Sequence, residues 1–357
     1  MLEQVENVRE WGPWSVWKTE IVLGAYAPQF LRAAAGSRDR IFIDCFAGST
    51  KNIERGTGRP IRSSPQVALQ AGDRSTFTHL VLFELPEKAA ALQETLCSRY
   101  PSRRIRVVPG DCNLNIAEGL AWLRRQGGPR HGPHLGAALA YLDPNALELR
   151  WSTVQALASW CMNPPEGEYR RRNRVELLIL FPTGPLRRRL PQAGKDIASD
   201  EHQLEVDQLF GNCDWREIYR AQRDRWIGSE ASWMHYVNLY RLGLSRLGYS
   251  YTSAIEVRNT KRVVQYHLIF ATSNQAGLRI MSGVLQKARE ILPRMLAAEQ
   301  RRLRRGEPPL FEDLEELRLI ATDPDEWASF IDQTPTPFVC ESYRPAFCYE
   351  PLRFDMS

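Results

Sequence analysis

Paired cysteines and closely spaced metal ligands are missing from this sequence. Its seven cysteines are odd in number and none belongs to a C-x-x-C pair, so the sequence predicts reduced thiols and no disulfide framework. A zinc site needs paired Cys or His ligands at short spacing. The H-x-x-H pair His131 and His134 lies among Gly and Pro residues that are typical of an exposed loop. We therefore expect no metal centre.

Long apolar runs are missing as well. No stretch reaches the roughly 18 consecutive apolar residues that a membrane-spanning helix needs. Residues 1–7 have neither the basic nor the apolar region of a secretory signal. With 357 residues, 43% hydrophobic and 25% charged, the chain is long enough for one large globular domain with insertions or for two domains. We expect a cytoplasmic protein that does not associate with a membrane.

The charge balance is mildly basic, at +5 with a pI of about 8.8. Arginines cluster at residues 170–174, 187–189 and 301–305. Such clusters indicate either contact with nucleic acid or solvated helix ends and loops. The sequence leaves both interpretations open.

Apolar runs alternate with helical patterns along the chain. A helical pattern at 14–34 is followed by five apolar runs at 41–44, 79–84, 105–108, 137–142 and 175–181, with helical patterns after most of them. This alternation is typical of a parallel sheet with helices on both faces. Two further strand-like runs, at 249–257 and 263–272, are joined by a connector that suits a hairpin. The pattern predicts an α/β, Rossmann-like class I methyltransferase fold, whose seven-stranded, mostly parallel sheet ends in an antiparallel hairpin.

The same pattern divides the chain into three regions. We expect an N-terminal helical segment at 1–36 and a methyltransferase-like domain at 37–285, with a helical insertion at about 186–247. A helical and Pro-rich extension is expected at 286–357. Inside the domain, the Gly- and Arg-rich residues 48–62 predict a loop.

Acidic residues end the first four predicted strands. They are Asp44, Glu84, Asp111 and Asp143, and the carboxyl ends of parallel strands converge on one crevice. The turn after the first strand lacks both a full G-x-G-x-x-G and a phosphate-binding G-x-x-x-x-G-K-[ST], which favours a site for S-adenosylmethionine. The alternative is a buried strand followed by an ordinary turn.

Each residue of this crevice has an expected role. Asp44 and the turn are expected against the methionine portion, and Glu84 at the ribose hydroxyls. Asp111 is expected at the adenine amino group, with backbone donors from Cys112 or Asn113. The turn consists of Phe46, Ala47, Gly48 and Ser49. Helix caps remain the alternative for Glu84 and Asp111.

The sequence Asp143-Pro144-Asn145-Ala146 is expected to carry the reaction. In methyltransferases that act on exocyclic or amide nitrogens, an acid or Asn followed by Pro orients the target nitrogen. Asp143 and Pro144 fit this pattern, with Asn145 and Pro182 on the acceptor side. The aromatic residue that would stack on a flipped base is missing, because residue 146 is Ala. A plain strand-ending turn is the alternative.

These motifs together resemble the three-Cys-motif partner family, which has a class I methyltransferase-like fold. The resemblance covers residues 11–285 and rests on Trp14 and Lys18 with the segments 42–48, 141–144, 180–182 and 268–278. Family members commonly have Asp-Pro-Phe-Gly where this chain has Asp-Pro-Asn-Ala. The resemblance implies S-adenosylmethionine as cofactor and a three-Cys-motif radical enzyme as a partner.

Lys18 and its neighbouring tryptophans lie in the helix before the first strand. Lys18 is expected to bind an acidic group of the substrate, or else to be solvated. Trp14 and Trp17 are expected in the core and not at a stacking site.

Three functions agree with these features. The first is methyl transfer from S-adenosylmethionine to a nucleic-acid, nucleotide or nucleoside-like acceptor. The second is a non-catalytic partner that keeps the fold and binds a radical enzyme or nucleic acid. The third is an enzyme that uses the same cofactor for a transfer other than methylation.

Overall fold

The computed structural model describes residues 9–55, 58–72, 75–126, 136–160, 174–191, 198–258 and 263–305. The strands are β1 (Arg9–Trp11), β2 (Arg40–Asp44), β3 (Asn52–Glu54), β4 (Pro60–Ile61), β5 (His79–Glu84), β6 (Arg104–Pro109), β7 (Ala137–Leu142), β8 (Glu176–Phe181), β9 (Tyr251–Arg258) and β10 (Val264–Thr272). The helices before β8 are α1 (Pro13–Val16), α2 (Gly24–Ala33), α3 (Ser64–Gln70), α4 (Pro86–Arg99), α5 (Cys112–Gln126) and α6 (Trp151–Ser159). The helices after β8 are α7 (Thr183–Arg189), α8 (Asp200–Phe210), α9 (Trp215–Arg223), α10 (Ser229–Arg246) and α11 (Gln275–Arg305).

Seven strands form the main sheet, in the order β6-β5-β2-β7-β8-β10-β9. Neighbouring strands are parallel except at β10, which is antiparallel to both β8 and β9. The predicted α/β architecture and its closing hairpin are therefore confirmed. The order reverses between β2 and β7, and ligands of open α/β sheets bind at such a reversal, beyond the carboxyl ends of the strands.

Helices cover both faces of the sheet, so the strands are apolar on both sides. Successive residues of β2 show this, because Phe42 packs in one core cluster while Ile41 and Ile43 pack in the other. The first cluster includes side chains from α2, α3, α4 and α11. The second includes side chains from α5, α6 and α8–α10.

The predicted first helix is present, but its middle is not α-helical. Residues Trp17–Leu23 form a π-helix between α1 and α2. Lys18, Thr19 and Glu20 are all buried in this wider turn, although they are adjacent polar residues. π-helical turns occur frequently at functional sites. The π-helix around Lys18 is therefore a feature typical of functional sites, and the sequence pattern did not predict it.

The predicted loop at 48–62 is wrong in part, because it contains two short strands. β3 pairs with β1 and with β4, which makes a separate three-stranded sheet. The partner strand β1 lies about 40 residues away in the chain, and no local pattern announces such a pairing. The buried carboxylate of Glu20 bridges Arg59 at 3.7 Å and Arg62 at 3.6 Å, which ties this small sheet to the π-helix.

Several predictions concern parts of the chain that the structure does not describe. His131, His134 and Arg170–Arg172 lie outside the described residues, as does 306–357. The predicted boundary at 285 falls inside α11, which continues to Arg305. Among the helices that are described, none combines the length and apolar character needed to cross a bilayer.

Candidate functional site

The turn after β2 is held between the ends of its two neighbouring strands. The Cys45 N–H donates to the Tyr141 carbonyl at 3.2 Å, and the Ala47 N–H donates to the Phe83 carbonyl at 3.0 Å. The Gly48 N–H donates to Oε2 of Glu84 at 2.6 Å. These bonds bring the predicted turn and the acid of β5 together, at the carboxyl edge of the sheet.

Gly48 has a backbone conformation that suits its predicted position beside a ligand. Its φ is +67°, a region that L side chains rarely adopt, and a Cβ placed there would meet no described atom within 4 Å. The backbone at this turn therefore faces open space. Ser49 closes the turn, because its Oγ accepts from the Lys51 N–H at 3.0 Å.

Asp44 lies at the base of this turn and is fully buried. Its Oδ1 accepts from the Phe46 N–H at 3.0 Å, and the Ser64 side chain is a further hydrogen-bonding neighbour of the buried carboxyl. Burial is the main cause that raises the pKa of Asp44 to about 7. Hydrogen bonds from the Ser64 side chain and the Phe46 N–H oppose this rise, and the carboxylates of Asp143 and Glu84 add smaller raising effects. The three acids are therefore close enough to interact, as their strand ends predict.

Glu84 and Asp111 are both engaged with backbone groups. Oε1 of Glu84 accepts from the Leu85 N–H at 3.0 Å, so each of its oxygens has one backbone donor. Oδ1 of Asp111 accepts from the Asn113 N–H at 2.8 Å, which is the geometry of a helix cap at the start of α5. A carboxylate has about four acceptor positions, so both acids keep capacity for a further donor.

The side chain of Cys112 has a structural role that the sequence did not predict. Its side chain is buried beside the thiol of Cys45, and burial is the main reason that the pKa of Cys45 is raised well above its usual value. These two thiols belong to the core under the crevice. The Cys112 backbone stands at the first position of α5, where N–H groups are free to donate.

Asp143 is bonded to Lys18. The Lys18 Nζ lies 2.6 Å from Oδ1 of Asp143, and the two side chains are 11% and 10% exposed. Oδ2 of Asp143 accepts from the Tyr141 hydroxyl at 3.3 Å. Lys18 is therefore neither solvated nor separate from the reaction motif. The structure joins two residues that the sequence placed in different roles.

Two aromatic rings flank this ion pair, and the sequence did not indicate either. The Lys18 Nζ lies 5.9 Å from the ring centroids of both Trp11 and Tyr266. Trp11 comes from β1, and Tyr266 comes from the antiparallel strand β10. Since these strands are distant in sequence from Asp143, no spacing rule could have found them. Trp11 and Tyr266 thus place aromatic rings beside the ion pair, whereas the Asp143-Pro144-Asn145-Ala146 motif has no aromatic residue of its own.

The expectation for the neighbouring tryptophans agrees with their positions. Trp17 is fully buried, and its Nε1 donates to the Ala288 carbonyl at 2.6 Å, so it belongs to the core. Trp14 is partly buried against the same core, and its carbonyl accepts from the Tyr266 hydroxyl at 3.1 Å.

The remaining predicted residues lie at the same edge with different exposure. Pro144 is buried, while Asn145 is exposed and donates its N–H to Oε2 of Glu148 at 3.1 Å. Pro182 is buried at the end of β8, directly before α7. Asn145 is thus accessible at the surface, whereas both prolines are buried.

Two large apolar side chains near the acids are unusually exposed. Leu85 follows Glu84 and is 49% exposed, and Leu114 lies in the first turn of α5 and is 71% exposed. The Gly110 N–H donates to the Glu84 carbonyl at 2.8 Å, which holds these two strand ends side by side. An apolar, planar ligand group would cover such side chains.

Comparisons with known proteins do not identify the chain. No protein-family model matches it, and no curated protein matches it. Among the residues that the structure describes, no group of three or more His, Cys, Asp or Glu side chains is arranged to hold a metal ion.

Proposed function

We propose that this protein is an S-adenosylmethionine-dependent methyltransferase. The observation that carries the proposal is the arrangement of strand-end acids at the turn of Gly48. Glu84 accepts from the Gly48 N–H, and Asp44, fully buried at the base of the turn, interacts with the carboxylates of Glu84 and Asp143. A ligand with positive charges offsets buried carboxylates. S-adenosylmethionine carries both a sulfonium and an α-ammonium group, so its charge fits this set of acids.

The other groups of this cofactor have suitable partners in the same crevice. Glu84 has free acceptor positions for ribose hydroxyls, and Asp111 has one for the adenine amino group. Leu85 and Leu114 offer apolar contact to the faces of the adenine ring. When bound, the cofactor supplies an electrophilic methyl group. The resemblance to the three-Cys-motif partner family supports the same proposal.

The acceptor we propose is a nucleic acid, a nucleotide or a nucleoside-like molecule. Asp143 and the carbonyl beside Pro144 accept hydrogens from its target nitrogen, and Asn145 and Pro182 line the acceptor side. Lys18 holds the carboxylate of Asp143 in place by direct contact, and positioning of this kind supplies much of a barrier reduction. The role of Lys18 in this proposal is thus to orient Asp143.

A titration calorimetry experiment tests the cofactor site directly. S-adenosylmethionine and its demethylated product are titrated into the wild-type protein, Glu84→Gln and Glu118→Gln. Glu118 is an exposed glutamate of α5 that pairs with Arg106 at 2.9 Å, so it is a matched control. We expect binding to the wild type and the control, and on the order of tenfold weaker binding to Glu84→Gln. Absence of binding to the wild type would contradict the proposal.

One observation favours a second candidate, a non-catalytic partner of a radical enzyme or nucleic acid. Asp143 is already paired with Lys18, so part of its capacity to accept from a substrate is in use. Mass spectrometry of nucleosides from nucleic acid incubated with wild-type protein or Asp143→Ala separates the two. A methylated nucleoside that depends on Asp143 supports the enzyme, and cofactor binding without any methylated product supports the non-catalytic partner.

A further inference from the structure

Arginine and aromatic side chains are exposed on the helices that follow β8 and in the turn between α9 and α10. Arg188 and Arg225 are exposed, Trp226 is 62% exposed and Met234 is 45% exposed. Arg187 lies over the ring of Trp233, with 5.5 Å between its guanidinium carbon and the ring centroid. We call the set Arg187, Arg188, Arg225, Trp226 and Met234 the arginine–tryptophan surface. No role in the crevice accounts for these residues.

This surface lies at the same edge of the sheet as the crevice. α7 begins directly after β8, so it starts at the carboxyl edge. The contact between Arg187 and Trp233 places the first turn of α10 beside α7. Near its other end, α10 contacts the start of β9, because Nε of Arg241 donates to Oγ1 of Thr252 at 3.0 Å. α10 therefore runs away from the carboxyl edge, and its beginning lies near the crevice.

The backbone before α10 holds Trp226 in its exposed position. Arg225 has a φ of +63°, and it is the one non-glycine residue with positive φ within the described ranges. Its N–H donates to the Gln222 carbonyl at 3.2 Å, and the Trp226 N–H donates to the Ala221 carbonyl at 2.9 Å. These two bonds form a Schellman motif in which Arg stands where Gly is usual. The chain thus keeps a cation at a position where glycine would be less strained.

Nearby acidic residues do not neutralise this surface completely. Arg189 is paired with Glu205 at 2.6 Å, and Asp224 is exposed directly before Arg225. Arg188 and Arg225 are exposed, and neither forms an ion pair with an acidic residue that the structure describes. The exposed Trp226 therefore adjoins one cation, Arg225, that remains available to an anionic ligand, and Arg188 adds a second on α7.

We propose that the arginine–tryptophan surface binds single-stranded nucleic acid. Exposed aromatic rings stack on bases, and arginines contact the phosphates. At the crevice, Glu84 and Asp111 have no cationic partner among the described residues, and their charge repels a phosphate backbone. A separate basic surface at the same edge avoids this repulsion, because it binds the phosphate backbone of the nucleic acid while one base enters the crevice. The inference rests on the proposed function in naming the acceptor as single-stranded nucleic acid.

The test is a fluorescence anisotropy titration of the full chain with a labelled, mixed-sequence single-stranded oligonucleotide. Trp226→Ala is expected to weaken binding about tenfold, because one stacked base is lost. Arg188→Ala and Arg225→Gly are each expected to flatten the dependence of log affinity on log salt by about 0.7, the value for one phosphate contact on a single strand. Arg32→Ala is the charge-matched control, since Arg32 is exposed at the end of α2, before β2 and hence at the opposite edge.

The outcomes separate this inference from the cofactor proposal. Weaker binding by the three surface variants with unchanged binding by Arg32→Ala supports the surface. Equal binding by all variants, or equal affinity for a duplex of the same sequence or for an acidic polypeptide, overturns it. The calorimetric titration with S-adenosylmethionine is measured on the same samples. Cofactor binding without oligonucleotide binding rejects the surface alone, and the reverse result rejects the cofactor site alone.

Discussion

The Nζ atom of Lys18 lies 2.6 Å from Oδ1 of Asp143, which joins the π-helix to the end of β7 across 125 residues. Tyr141 and Thr19 extend the contact, because the Tyr141 hydroxyl lies 3.3 Å from Oδ2 of Asp143 and 3.5 Å from Oγ1 of Thr19. The cation of the N-terminal helix therefore sets the position of the acid at the proposed acceptor site. The contribution of this contact to stability can be measured by mutation.

Replacing Lys18 by Met is expected to destabilise the protein by about 3–5 kcal/mol, because it leaves the buried charge of Asp143 without a partner. The double variant Lys18→Met, Asp143→Asn removes both charges and is expected to recover part of that loss. Urea denaturation followed by circular dichroism measures the two free energies of unfolding. If the free energy of unfolding of Lys18→Met lies within about 1 kcal/mol of the wild-type value, the Lys18–Asp143 pair contributes no more than an exposed ion pair.

Ligand affinity is expected to depend on pH through Asp44, whose pKa is raised to about 7, chiefly by burial. Below pH 7 the carboxyl is protonated and neutral, so it loses its attraction for a cationic ligand. S-adenosylmethionine should therefore bind more weakly as the pH falls below 7, approaching about tenfold per pH unit, which is the limit for one coupled proton. Calorimetric titrations between pH 5.5 and 8 measure this (about 2.5 units around the pKa).

The variant Asp44→Asn controls for other titrating groups, because Asn keeps the shape of the side chain and carries no proton-linked charge. Its affinity should be low and should change little over the same pH range. If wild type and variant showed the same pH dependence, a different group would be responsible.

The sequence predicted the main sheet well, because each strand has a local pattern. Apolar runs such as 175–181 are buried on both faces, and acids such as Glu84 end their strands at one edge. The parallel direction of the first five strands of this sheet followed from the alternation of strands and helices, and the antiparallel pairing of β9 with β10 followed from the short connector between them. The order of the strands in the sheet followed from neither. The convergence of the strand-end acids was predictable for the same reason, since parallel strands bring their carboxyl ends together.

The acceptor side was less predictable, because its contacts join distant parts of the chain. Trp11 and Tyr266 reach Lys18 from a short strand and from the antiparallel strand, and no spacing rule connects them. The π-helix that buries Lys18 has no marker in its sequence, which reads as an ordinary amphipathic helix. The strands inside 48–62 were missed because β3 pairs with residues far upstream.

Stability is expected to fall with rising pH through Glu176, which lies in β8 at the edge of the sheet opposite the crevice. The carboxyl accepts from Tyr26 and, at 2.8 Å, from the Thr272 hydroxyl, and burial raises its pKa from 4.5 to about 7. The folded protein therefore keeps this proton where the unfolded chain has lost it. The stability contribution is complete below pH 4.5 and is lost as the pH rises to 7.

The variant Glu176→Gln is expected to remove this contribution to the pH dependence while keeping both hydroxyl donors. The difference in unfolding free energy between wild type and variant should change by several kcal/mol, on the order of 3, between pH 4.5 and 7.5. Urea titrations at four pH values (about one unit apart) measure the difference. A constant difference would mean that Glu176 titrates alike in the folded and unfolded states.

Replacing Arg225 by Gly is expected to stabilise the protein by about 1 kcal/mol, because glycine adopts a positive φ without the strain that a Cβ causes. The matched control is Gly211→Ala, since Gly211 ends α8 with a φ of +71° and its Cβ would lie 2.2 Å from the Trp151 ring. That control should be destabilised by more than about 1 kcal/mol. Thermal unfolding monitored by circular dichroism measures both. If Arg225→Gly gains stability but loses oligonucleotide binding, Arg225 serves ligand binding at a cost in stability. If the variant loses stability, the contacts of the arginine side chain outweigh the strain of its backbone.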